Sequence, residues 1–147
     1  MKYYYEDLNI GDEFYSNYYT VTKEEILTFA KQYDQLPIHT KENDENKLFS
    51  SVIASGWHLS ALTMRLMVEA LLSNSSALIS PGVEKIEWKK PVFPNDKIKI
   101  TMTVSEKRLS KKKKGLGIIK FNIKMMNQNN EEVLSMIPTG FFGCRKE

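Results

Sequence analysis

The chain has 147 residues, 41% of them hydrophobic, a net charge of +3, a single cysteine and two histidines. That length and apolar content suffice for one self-sufficient domain over residues 1–147, with a core that needs no disulfide or metal staple. The small, dispersed charge argues against a nucleic-acid binder, and two histidines exclude a multi-histidine metal centre within one chain.

No zinc spacing, phosphate loop or dinucleotide fingerprint is present, so no cofactor is expected. The lone Cys144 and a start unlike a signal peptide point to a reducing cytoplasm. Cys144 itself reads as a packing thiol of the last strand.

In chain order, an aromatic lead-in (Tyr3, Tyr4, Tyr5) runs to a turn at Gly11-Asp12, and a first strand is expected from Phe14 to Val21. Thr22 with Glu25 forms a capping box. Ile26, Phe29, Ala30 and Tyr33 then fall on one helical face, giving an amphipathic helix that ends at Asp34. The polar stretch 41–47 reads as loop or a short exposed turn. From Ser55 to about Leu72 apolar residues occur on every side, which predicts a surrounded central helix. His58, Arg65 and Glu69 make that segment a poor membrane span.

Beyond it the period changes to two. Ile86 and Trp88 belong to a strand that turns at Pro91–Asp96. Ile98, Ile100, Met102 and Val104 alternate with polar residues, as do Ile119, Phe121, Ile123 and Met125. Lys111–Lys114 and Gly115 read as a solvated hairpin tip, with attraction of a nucleotide-bearing substrate's phosphates as the functional alternative. Asn127–Asn130 supplies a turn, and a last strand runs from Val133 to Phe142, with Pro138 expected as an irregularity near an edge. The economical assembly is α+β: an antiparallel sheet wrapped around the long helix. Edges and part of the helix would stay bare, which predicts a homodimer.

The chemistry-bearing cluster is Asp34 and His39, five positions apart with Pro37 holding the connecting loop extended, followed by Ser55-Gly56-Trp57-His58 at the opening of the long helix. A carboxylate and an imidazole can converge there on one water, while Gly56 offers a backbone N–H to a carbonyl oxygen. His58, one turn into a buried helix, reads first as a hydrogen-bonded packing residue. Met64, Met67, Met125 and Met126 read as core filler or acyl-pocket lining.

At these residues the chain resembles the MaoC-like acyl dehydratases, relatives of the R-specific enoyl-CoA hydratases. The likeness is carried by Glu6–Asp12, by Asp34 to His39, by Ile53–His58 and by Lys90–Asp96, the last resembling a Pro-Val-x-Pro-Gly-Asp turn. It implies a hot-dog fold and a hydro-lyase acting on an acyl-CoA thioester, with no membrane or nucleic-acid partner. It further implies that Asp34 and His39 hold and polarise the water, that Gly56 meets the thioester oxygen, and that Ser55, Trp57 and His58 line the rim. The chain departs from the family pattern at Leu36, at Ser50-Ser51 and at Met64. A hot-dog thioesterase, with Glu69 as its carboxylate, and a non-catalytic acyl-thioester-binding subunit are the alternative readings.

Overall fold

The computed structural model describes residues 2–42 and 48–146; most of the polar stretch expected as loop, 43–47, lies outside them. After a single 3-10 turn at Tyr5–Asp7 come β1 (Glu13–Tyr15), β2 (Tyr19–Thr20), α1 (Lys23–Tyr33), α2 (Pro37–Thr40) and α3 (Gly56–Ala70). Four long strands follow: β3 (Ala77–Trp88), β4 (Lys97–Leu109), β5 (Leu116–Met126) and β6 (Glu132–Gly143). They form one antiparallel sheet in the order β1-β4-β5-β6-β3, with β2 also paired to β4. The sheet curls around α3 in the hot-dog arrangement.

The period-two residues make this packing possible. Ile98, Ile100, Met102 and Val104 of β4 and Ile119, Phe121, Ile123 and Met125 of β5 are all buried, and they meet Leu59, Leu62, Leu66 and Met67 of α3. Each such side chain is worth about 1.5–3 kcal/mol on removal from water.

Four expectations change. The first strand is two short pieces, because the Ser16 hydroxyl takes the hydrogen bond from the Ile100 N–H at 2.9 Å and the chain swings out before re-pairing at Tyr19. Pro138 does mark an irregularity, yet it lies on β6, an inner strand between β5 and β3. Its missing N–H is accommodated where no β5 partner is registered between the Thr139 and Met136 pairings. The connection from Asp34 to His39 is not extended throughout: Leu36 is, as its position before proline favours, but Pro37 then occupies the first turn of α2. Finally, α3 is not surrounded within one chain, since Met64 is 50% and Val68 40% exposed.

Those two residues face the same side as β3, the long edge strand. Nearly all of β3 is solvent-exposed, including Leu78, Ile79 and Val83. Between β3, β6 and α3 lies an apolar cavity of about 480 Å³, with Met64, Met67, Ile86, Phe121, Met136 and Phe142 among its walls.

Candidate active site

The site is built where α1 ends, α2 lies and α3 begins. Asp34 is the C-cap residue of α1, its N–H bonded to the Ala30 carbonyl, so the helix end fixes the position of its carboxylate. His39 sits in the last turn of α2 and is 8% exposed. Ser55 is the N-cap of α3. Its hydroxyl accepts from the Trp57 N–H at 3.3 Å and donates to Asp34 Oδ2 at 2.6 Å.

The hydrogen bonds settle the histidine tautomer. His39 Nδ1 lies 2.8 Å from the Ile53 carbonyl oxygen, which can only accept, so Nδ1 carries a hydrogen. Nε2 then faces Asp34 Oδ2 at 3.2 Å. The ring and the carboxylate thus stand in direct polar contact. Beside it, Gly56 is the first residue of α3, where N–H groups have no intrahelical acceptor and carry the positive end of the helix dipole.

Gly56 has a packing reason to be glycine as well. A Cβ there would overlap the Trp88 indole, so the ring lies against the bare Cα. Trp88 Nε1 donates to Ser60 Oγ at 3.1 Å, and the indole meets Trp57 edge to face, with centroids 5.2 Å apart. Trp57 is 60% exposed at the rim.

His58 points elsewhere. Its ring stacks on Phe29 of α1 at 4.8 Å and its Nε2 lies 2.9 Å from Glu25 Oε2. Glu25 also accepts from the Tyr19 hydroxyl and closes the capping box with Thr22. The Tyr19 phenol is raised above its ordinary value, first by burial and then by that bond to Glu25. The structure thus brings Asp34, His39, Ser55 and Gly56 together, sets Trp57 beside them, and turns His58 into the seam between α1 and α3.

Sequence reasoning missed three contributors. The Ile53 carbonyl carries no side-chain signal at all. Trp88 was legible only as a strand residue, and Glu25 only as a cap. Met64 and Met67 line the apolar cavity, while Met125 is fully buried core. Lys111–Lys114 lies in the exposed connection between β4 and β5, where the Ser110 hydroxyl accepts from the N–H groups of Lys112 and Lys113. Cys144 lies just past the end of β6, and burial pushes its thiol up. Among the described residues no helix is long and apolar enough to cross a membrane.

The family described as MaoC like domain matches residues 7–121, a span that contains every residue of this site. The chain belongs to the MaoC-like dehydratase family. A MaoC-like dehydratase from Rhodospirillum rubrum is 31% identical and superposes with a TM-score of 0.89, over 98% of this chain and 99% of that one. The uncharacterized protein YdeM of Bacillus subtilis is 26% identical over 129 residues, 87% of this chain and 90% of its own length. The R-hydratase PhaJ1 of Pseudomonas aeruginosa, at 19% identity and a TM-score of 0.74 over 99% of this chain and 88% of that one, shares the fold. For a MaoC-like chain, hydration or dehydration chemistry is the family's trade.

Proposed function

We propose that this protein adds water to, and removes it from, a 2-enoyl thioester, with coenzyme A as the acyl carrier. The observation that carries the reading is the close contact of Asp34 and His39 beside the head of α3, where Gly56 is the first helical residue. In the hydration direction, a water held by the pair gives one proton to it as its oxygen bonds to C3. The C2=C3 electrons move toward the thioester carbonyl, whose growing negative charge meets the Gly56 N–H. The pair then returns one proton to C2, so it ends as it began and the net change is one water added. Acid–base groups of this kind contribute about 10²–10⁴ in rate. One donor at a developing oxyanion contributes about 10²–10³.

Ser55 keeps Asp34 in place through a short charge-assisted bond. The thioesterase alternative finds less support. Glu69 is exposed on α3, its carboxylate taken by the Asn17 side chain at 3.1 Å, far along the helix from its amide end.

The same reading includes a homodimer. The twelve-residue edge strand β3 leaves one row of backbone groups unpaired, next to the uncovered Leu78, Ile79, Val83, Met64 and Val68. A second copy of this chain would cover both. Light scattering should then give twice the 17.0 kDa of one chain, and a monomer at working concentration contradicts it.

The test of activity is the loss of enoyl absorbance when the protein meets short, medium and branched 2-enoyl-CoA thioesters, with free thiol followed in parallel. Absorbance loss without thiol release is the expected result. Thiol release points to a thioesterase instead, and ligand-induced thermal stabilisation without turnover points to a binding subunit.

A further inference from the structure

We infer that the Lys111–Lys114 hairpin tip is a phosphate-binding site, and that in the homodimer the tip of each subunit holds the phosphates of a coenzyme A thioester seated at the acid/base site of the other. The inference rests on the thioester and homodimer readings above. Its starting point is the distribution of charge. Lys23, Lys85, Lys89, Lys90, Lys120 and Arg145 each pair with a carboxylate, whereas Lys111, Lys112, Lys113 and Lys114 pair with none among the described residues. All four are exposed. The turn that carries them is held by the Ser110 hydroxyl, which accepts from the N–H groups of Lys112 and Lys113 at 3.3 and 3.1 Å, and by Gly115 at a φ of +81°. Four like charges so close together repel one another, and a multiply charged anion relieves that repulsion.

Within one chain the tip stands far from the site. Trp88, whose ring lies against Gly56, pairs with Leu134, and Leu134 with Met125, so these residues form the row of the sheet nearest the site. Ala77, Phe142 and Gly117 form the row at the opposite end, where the tip begins. Met125 and Leu116 lie nine residues apart on β5, which is about 30 Å at about 3.4 Å per residue.

A second copy of the chain shortens that distance. A two-fold axis normal to the sheet pairs the two β3 edges antiparallel and keeps both α3 helices on one side, where Met64 and Val68 of each subunit are covered. A two-fold axis along the strand would put the helices on opposite sides of the sheet and leave those residues bare. Antiparallel pairing over the length of β3 sets the partner's Ala77 beside Trp88, so the tip end of the partner's sheet adjoins this subunit's site. From β3 the path then crosses the partner's β3, β6 and β5 to the tip between β5 and β4. Three and a half strand spacings of about 4.8 Å come to about 17 Å. An extended pantetheine arm with its diphosphate covers that span, so a thioester carbonyl at the Gly56 N–H leaves its phosphates among the partner's lysines.

The experiment measures dissociation constants by calorimetry for butyryl-CoA and for butyryl-pantetheine, which carries the same thioester without phosphates, at low and at moderate salt. The proteins are the wild type and a variant carrying Lys111→Gln, Lys112→Gln, Lys113→Gln and Lys114→Gln. The wild type should prefer butyryl-CoA to butyryl-pantetheine by about tenfold or more, and added salt should shrink that preference. The variant should lose most of the preference through weaker binding of butyryl-CoA, with butyryl-pantetheine bound as before. Mixed dimers then separate the roles of the two subunits. One subunit carries His39→Ala and an intact tip, the other an intact site and the four glutamines, and a different affinity tag on each isolates the pair. The site that keeps its histidine faces the intact tip of its partner, so crotonyl-CoA should be hydrated with the wild-type KM.

Saturated thioesters cannot be hydrated, so the calorimetry does not depend on turnover. An unchanged preference in the variant, or an equal loss for both thioesters, overturns the phosphate site and leaves the proposed activity standing. A mixed dimer with the KM of the four-glutamine protein overturns the placement across subunits. No turnover by the wild type overturns the proposed activity, while the calorimetry still decides the lysine tip. Failure of the wild type to bind either thioester overturns both.

Discussion

Two carboxylate–imidazole pairs flank the first turn of α3, and they differ in what their ring nitrogens meet. Asp34–His39 and Glu25–His58 have similar contact distances, 3.2 and 2.9 Å, and both histidines are buried. In the first, both ring nitrogens have partners: the Ile53 carbonyl on Nδ1 and Asp34 on Nε2. Neither ring nitrogen of His39 is stranded. In the second, His58 Nδ1 is buried with no partner among the described residues, so a hydrogen added there would have nothing to donate to. His58 ties α1 to α3 through its stack on Phe29 and its contact with Glu25. Glu25 is occupied by Tyr19, Thr22 and His58 together.

The sharpest way to break this contrast is Asp34→Asn, which should lower the hydration rate by about 10²–10⁴ with little change in fold, read from initial rates and circular dichroism. A rate within threefold of the wild type would remove Asp34 from the chemistry. Ser55→Ala comes next. It deletes one bond to a charged oxygen, and about 1.5–3 kcal/mol lost there corresponds to a ten- to hundredfold drop in kcat. It should also lower the melting temperature through the lost cap.

Glu25→Gln should show the opposite profile: a stability loss of about 1 kcal/mol in denaturant melts and a rate close to the wild type's. A large loss of rate with stability intact would erase the distinction between the pairs.

The smallest effect lies far from both. A hydrogen bond from the Arg145 guanidinium, seconded by the Tyr4 N–H, holds the Asp7 carboxyl below the usual carboxylate range. A depressed folded value gives stabilisation that is present above the ordinary aspartate range and fades as pH falls through the folded value. Asp7→Asn should thus narrow the stability difference between neutral and acid pH. An unchanged acid limb of the melting-temperature profile would show that the clamp adds nothing.

Much of this was legible because it rests on side-chain periodicity. The alternation in β4 and β5, the Thr22–Glu25 box and the run of apolar residues in α3 each encode an element directly. β3 was harder to read. Pro81 and Gly82 look like a break, yet on an edge strand with register shifts on either side of them the chain passes through and still pairs with β6. The split of the first strand depends on one serine hydroxyl standing in for a backbone group, which composition does not show. At the site, residue types and spacing marked Asp34, His39 and Gly56. What separates His39 from His58 is the Ile53 carbonyl, and a backbone atom leaves no trace in the sequence.

The most direct test of that separation is to compare His39→Ala and His58→Ala side by side for hydration of one 2-enoyl-CoA at saturating substrate. The account predicts that His39→Ala loses about a hundredfold or more in kcat, while His58→Ala stays within about tenfold and is the less stable protein. Equal losses, or a larger loss at His58, would contradict it.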